Sequence, residues 1–136
     1  MANVMGGAIQ PVIIQDRNGN DAFVSLDSTL GGSLSACGTV AATGNTTLIA
    51  APGAGFRIVL SYVMVQNESA APTTILMGDN NGWYLRFLGQ TQGDLLLVQL
   101  IPGREWRLSE NSPLLINLSG ANQIGYSIMY YVERTG

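Results

Sequence analysis

Apolar and polar residues alternate along most of this chain in short runs, each closed by a cluster of turn-forming residues. The runs cover residues 46–51, 56–66, 73–77, 83–88, 95–101, 114–118 and 124–132. Segments rich in Gly, Pro, Asn and Asp separate them, and no run carries a helical period. Alternation places successive side chains on opposite faces of a strand. Runs at this spacing predict an all-β fold, a single antiparallel β-sandwich or jelly roll.

Two of the runs give more specific expectations. In 56–66, one face should point into the core, and it carries Phe56, Ile58, Leu60, Tyr62 and Met64. The opposite face is too apolar beyond Val59 to be an ordinary solvent-facing surface, so we expect something to cover it. The run 95–101 is apolar on both faces apart from Gln99, which predicts a central strand.

The first 35 residues have a different texture. Residues 1–9 are small and aperiodic, which indicates an arm, and residues 10–26 hold two β-rich runs around Asn18-Gly19, which is a hairpin signal. Residues 27–38 are rich in Gly and Ser and are typical of a linker. We therefore expect residues 1–35 to form an N-terminal arm, hairpin and linker, and residues 36–136 to form the sandwich domain.

The small number of charged residues adds an expectation about assembly. Charged residues make up 11% of the chain, against about 25% in a typical soluble domain. A surface this poor in charge favours burial against neighbours, so we expect a homo-oligomer, a trimer or another closed assembly. The net charge is −3 and the arginines are dispersed, which argues against a nucleic-acid partner. No apolar run approaches the length of a membrane span, so we expect no membrane partner either.

The sequence offers few residues that could form a catalytic or metal-binding site. The chain has no His, and Cys37 is its only Cys, so the usual general base and the common zinc ligands are missing. Three carboxylates, Asp94, Glu105 and Glu110, show no spacing that favours a catalytic pair. The sequence therefore predicts no catalytic, cofactor-binding or metal site, and a protein that is not an enzyme.

Two clusters could bind a partner. Trp106 stands between Arg104 and Arg107, a composition enriched at protein interfaces, although a Trp capping one end of the sandwich explains it equally well. The segment 79–84 combines a carboxylate, two amides, Trp83 and Tyr84. Such groups bind sugars in some β-sandwiches, but a local turn followed by a strand is the simpler interpretation.

The order of turns and strands resembles a known family. Residues 44–62 read GNTTLIAAPGAGFRIVLSY, while 114–119 and 125–133 read LLINLS and GYSIMYYVE. These patterns are similar to those of small tailed-bacteriophage virion structural proteins of the capsid decoration, or cement, type. The resemblance covers residues 39–134.

This resemblance implies a β-sandwich displayed on a virion that is assembled in the host cytoplasm. Its partners would be the major capsid protein or other virion subunits, and no catalytic residue comes with the family. The sequence departs from the family pattern between residues 79 and 107. There we expect a protein interface formed by Arg104, Trp106, Arg107, Trp83 and Tyr84. The alternative is a carbohydrate- or receptor-binding module of a phage tail or fibre.

Overall fold

In a computed structural model, residues 32–136 can be described, and they form two antiparallel β-sheets packed around one core. The expected all-β sandwich is confirmed for this part of the chain, and none of it forms a helix able to cross a membrane. Its strands are β1 (Leu34–Val40), β2 (Gly44–Ile49), β3 (Phe56–Asn67), β4 (Thr73–Asp79), β5 (Gly82–Gly89), β6 (Leu95–Gln99), β7 (Trp106–Arg107), β8 (Leu114–Leu118) and β9 (Ile124–Arg134).

Long-range pairings build both sheets. The first sheet has the order β1-β9-β3-β6, and the short β7 pairs with β3 next to β6. The second has the order β2-β8-β4-β5. Apolar side chains from the two inner faces form the core, where the most deeply buried are Ile58, Leu60, Val63, Val65, Ile75, Met77, Leu108, Leu114, Ile116, Leu118, Ile124 and Ile128.

Strand β3 changes its inward face part of the way along. Met129 of β9 pairs with Tyr62 and Tyr130 pairs with Leu60, so Ser61 is an extra residue on β3. A β-bulge of this kind shifts the alternation by one position. Ile58 and Leu60 point inward before the bulge, and Val63 and Val65 point inward after it, all with 0% exposure.

The predicted core face of 56–66 is therefore only half correct. It holds for Ile58 and Leu60, but it is wrong for Tyr62 and Met64, which are half-buried and lie on the outer face. The expectation that the face carrying Val59 is covered is confirmed at that residue, which is fully buried.

The prediction of a central strand at 95–101 finds no second neighbouring strand in residues 32–136. Within the described residues, β6 pairs with β3 alone and is an edge of the first sheet. Leu96, Val98 and Leu100 pack against the core, whereas Leu95 and Leu97 are 52% and 53% exposed. An apolar run explains burial of one face, but it does not show whether a second strand pairs beyond it.

Of the predictions for the N-terminal region, the structure tests only those that concern residues from 32 onwards. Residues 34–38, predicted as linker, belong instead to β1, which pairs with β9 from Leu34 to Val40. The arm, the hairpin and residues 27–31 of the linker lie outside the described residues. The boundary expected between residues 35 and 36 falls inside β1, and the division into arm and sandwich stays a prediction.

A chain that begins at Gly32 should fold. All described strands remain in it, including β1, so we expect β-type circular dichroism and a single cooperative thermal transition. Deleting residues 1–42 should destabilise the fold strongly, because it removes β1 and the core residue Val40 and leaves one edge of β9 unpaired. Loss of cooperative unfolding in the shorter deletion would show that residues 1–31 complete the core.

Candidate functional site

The turn between β4 and β5 is fixed by one buried carboxylate. Asp79 Oδ1 accepts hydrogen bonds from the backbone N–H groups of Asn81 and Gly82 at 2.8 and 3.1 Å. Its Oδ2 accepts from Ser109 N at 2.8 Å and from the Tyr84 hydroxyl at 2.9 Å. Burial alone would raise the pKa of Asp79, but these hydrogen bonds outweigh it and hold the pKa below its usual value. Asp79 is thus committed to structure and is not free to bind a sugar.

Three of the five predicted interface residues come together beside this turn. The Tyr84 ring stacks on Trp106 with 6.1 Å between the ring centroids. The Tyr84 hydroxyl lies 3.3 Å from Arg107 O and also donates to Asp79. Burial, with Asp79 as acceptor, raises the pKa of Tyr84 to about 12. Trp106 packs against the core, so it occupies the capping position that was one of its two interpretations.

Arg107 belongs to a partly buried ion cluster on the outer face of the first sheet. Glu133 Oε2 accepts from Arg57 Nε at 2.6 Å and from Arg107 Nε at 3.1 Å. Glu105 lies 3.5 Å from Arg107. In the sheet register Val59 stands between Arg107 and Tyr131, so this cluster lies over the buried Val59. The guanidinium of Arg107 is therefore engaged within the fold.

The other two predicted residues are not part of this contact. Trp83 is 44% exposed. It lines a cleft of about 320 Å³. Arg104 is exposed in the loop between β6 and β7, where its backbone N–H donates to Ile101 O at 2.9 Å.

The cleft beside Trp83 gathers residues from four strands and the β4–β5 turn. Asn45 comes from β2 and Leu115 from β8, neither of which the sequence analysis connected with Trp83. They meet because the register aligns Leu115 with Gly78 and Gly78 with Trp83. Gly78 has no room for a side chain, since a Cβ there would overlap the backbone of Gly82 and Trp83. The remaining lining residues are Asp79, Asn80, Asn81 and Gly82.

The outer face of the first sheet carries an apolar surface that the sequence did not predict. A shallow cleft of about 420 Å³ is lined there by Ser61, Tyr62, Leu97, Gln99, Leu100, Pro102 and Met129. Leu95, Leu97, Ile101 and Met129 are 44% to 61% exposed. The doubly apolar run 95–101 was the available signal for this surface. The bulge at Ser61, which turns Tyr62 outward, is visible only in the strand pairing.

No family model and no curated protein matches this chain. Among solved structures, it is similar to a chain from the cryo-EM structure of the giant freshwater prawn Macrobrachium rosenbergii extra small virus (XSV) VLP. The sequence identity is 8%, the match covers 79% of this chain and 84% of that chain, and the TM-score is 0.41. A likeness of this degree carries no information about function.

The two tryptophans should respond differently to truncation. Trp106→Ala should lower the free energy of unfolding by about 3 kcal/mol, because it removes a ring packed on the core and on Tyr84. Trp83→Ala should change it by less than about 1 kcal/mol, since the ring is largely exposed. Denaturant unfolding of both variants measures the difference. Equal losses would contradict the assignment of Trp106 as the capping residue.

Proposed function

We propose that this protein is a structural component of a bacteriophage virion. In this proposal it is a capsid decoration, or cement, protein that binds the outer surface of the head and stabilises capsomer junctions. Its partners are the major capsid protein or other virion subunits, and it acts as a homo-oligomer. The resemblance of residues 44–62 and 114–133 to decoration proteins supports this role, as does the charge-poor surface.

One observation carries the proposal: two adjacent aromatic side chains are exposed on a rigid turn. Trp83 and Tyr84 are 44% and 38% exposed, and the four hydrogen bonds to Asp79 hold the turn that presents them. Aromatic residues are enriched among the anchors of protein interfaces. A turn that is already ordered loses little conformational entropy on binding. The exposed Arg104 is a further candidate for this contact surface.

The exposed face of Trp83 gives a direct test. The purified chain is mixed with empty capsids assembled from the major capsid protein of the same genome, and bound copies are counted after sedimentation and by electron microscopy. We expect a fixed copy ratio, and Trp83→Ala should weaken binding by about tenfold or more.

Leu88→Ala is the matched control, because Leu88 is a 41% exposed apolar residue on the same strand, far from the turn. It should bind like the unchanged chain. Absence of binding to any capsid would overturn the decoration role, and equal binding by all three chains would remove Trp83 from the contact.

The cleft beside Trp83 favours a second candidate, a carbohydrate-binding module of a tail or fibre. Exposed aromatic rings pack on sugar rings, and side-chain amides bond their hydroxyl groups. Asn45, Asn80 and Asn81 lie with Trp83 around this cleft. The side-chain oxygen of Asn45 is already engaged, since Oδ1 accepts a hydrogen bond from Asn117 Nδ2 at 2.6 Å.

A glycan array separates this candidate from the first. If the cleft is a sugar site, the chain should bind a defined set of glycans, and both Trp83→Ala and Asn80→Ala should abolish the signal. Leu88→Ala should leave it unchanged. An array without signal at any glycan contradicts this second candidate and leaves the capsid proposal standing.

A further inference from the structure

Among residues 32–136, strand β6 has no neighbour on the side away from β3, so within this part of the chain its hydrogen-bonding edge is open. On its paired side, Asn67 N donates to Asp94 O and Leu100 N donates to Ser61 O, both at 2.9 Å. In an antiparallel ladder, alternate residues direct their backbone groups towards the neighbouring strand. These two bonds flank the pairs Gln66–Leu95 and Tyr62–Gln99. The backbone N–H and C=O groups of Leu95, Leu97 and Gln99 therefore point away from β3, towards the open side.

The same three residues also have exposed side chains. Leu95 and Leu97 are 52% and 53% exposed, and Gln99 is exposed as well. Natural edge strands are usually blunted by a charged residue, a proline, a bulge or a covering segment. The strand Leu95–Gln99 contains no charge and no proline, and its pairing with β3 has no bulge. An apolar edge without these features is a surface on which another strand can pair.

The outer face next to this edge is apolar too. Leu97 stands beside Met64 in the register, and Tyr62 stands beside Met129 in the next row. Met129 is 44% exposed, and Ile101, just beyond the strand, is 61% exposed. The open edge and the apolar face thus form one continuous surface.

We propose that two copies of this protein pair through β6 in antiparallel orientation about a two-fold axis at Leu97. Leu97 would then lie opposite the partner's Leu97, and Leu95 opposite the partner's Gln99. All three outward-facing residues form backbone hydrogen bonds in this register, about six bonds in total. The two five-stranded sheets become one continuous sheet across the dimer.

The chemistry of the edge favours a second copy of β6 as its occupant. In this register Leu97 meets the partner's Leu97 on the outer face, and Leu96 meets the partner's Val98 on the inner face. Leu95 lies opposite the neutral Gln99 of the partner subunit, and β6 brings no like charges together. Asp94, which precedes the strand, turns its carboxylate back to the N–H groups of Gln90 and Thr91. The other edge of the same sheet, β1, exposes Ser35, Cys37 and Thr39, which match leucines poorly.

A contact of this type is isologous and closes on itself. It produces an even number of copies, so it favours a dimer over the trimer that the composition also allowed. It does not depend on the proposed capsid role, because both copies contribute the same strand and the Trp83 turn belongs to the other sheet.

The register is tested by cysteine cross-linking of the full chain. The exposed Cys37 is first replaced by Ser. Residues in a hydrogen-bonded antiparallel pair have Cα atoms about 5.5 Å apart, within the range that a disulfide spans. In this background Leu97→Cys should form a disulfide-linked dimer under mild oxidation. Leu95→Cys should not, because the two copies of residue 95 lie more than about 10 Å apart along the paired strands.

Sedimentation velocity tests the contact without cross-links. The unchanged chain should dimerise with micromolar affinity, and Leu97→Lys should weaken the dimer by about tenfold or more, because it places two like charges at the axis. Leu88→Lys is the matched control, being the same change at an exposed leucine of the edge strand β5. It should leave dimerisation unchanged. Circular dichroism verifies that both variants fold.

Three results would overturn this inference. They are a monomer at every concentration tested, an assembly whose mass Leu97→Lys does not change, and equal cross-linking at positions 95 and 97. None of them bears on capsid binding through Trp83, which the capsid assay measures separately.

Discussion

A single extra residue in β3, Ser61, determines which side chains lie on the outer face of the first sheet. Both sheets must keep an apolar face inward, and β3 meets this demand with Ile58 and Leu60 before Ser61 and with Val63 and Val65 after it. The bulge thereby divides the outer face. On one side of it the Arg57, Arg107 and Glu133 cluster lies over Val59, and on the other side Tyr62 and Met64 extend an apolar surface towards β6. The ionic and the apolar halves of this face both follow from that one insertion.

The sequence allowed prediction of the fold class and of most strand positions, because these depend on local alternation and on turn residues. Residues 114–118, for example, were predicted with the bounds that the structure has. The inward face of β3 was predicted correctly only up to Leu60, since the bulge depends on how β9 pairs beside it. The Gly and Ser residues of 27–38 predict a linker where residues 34–38 of β1 lie, because such residues are typical of linkers. This segment is a strand because β9 offers it a complete hydrogen-bonding edge.

At the candidate site too, groupings of residues close in sequence could be predicted, whereas contacts between distant strands could not. Proximity along the chain was enough to group Trp83 with Tyr84 and Trp106 with its arginines. It could not show that Tyr84 turns to meet Trp106 while Trp83 turns to meet Asn45, because both contacts join strands that are distant in sequence. The role of Asp79 was equally out of reach, since its partner Ser109 lies 30 residues further along the chain. The interface role of Arg104, Trp106, Arg107, Trp83 and Tyr84 remains a prediction.

The position of β9 also has a consequence for biosynthesis. This strand follows all other described strands in sequence, yet it lies between β1 and β3 and supplies the Glu133 carboxylate that joins Arg57 to Arg107. While the chain is still emerging from the ribosome, β1 and β3 have no neighbour on the sides that β9 will occupy. Closure of the first sheet is therefore a late event, after translation has passed residue 134, and a product truncated before β9 would expose two unpaired edges to aggregation and proteolysis.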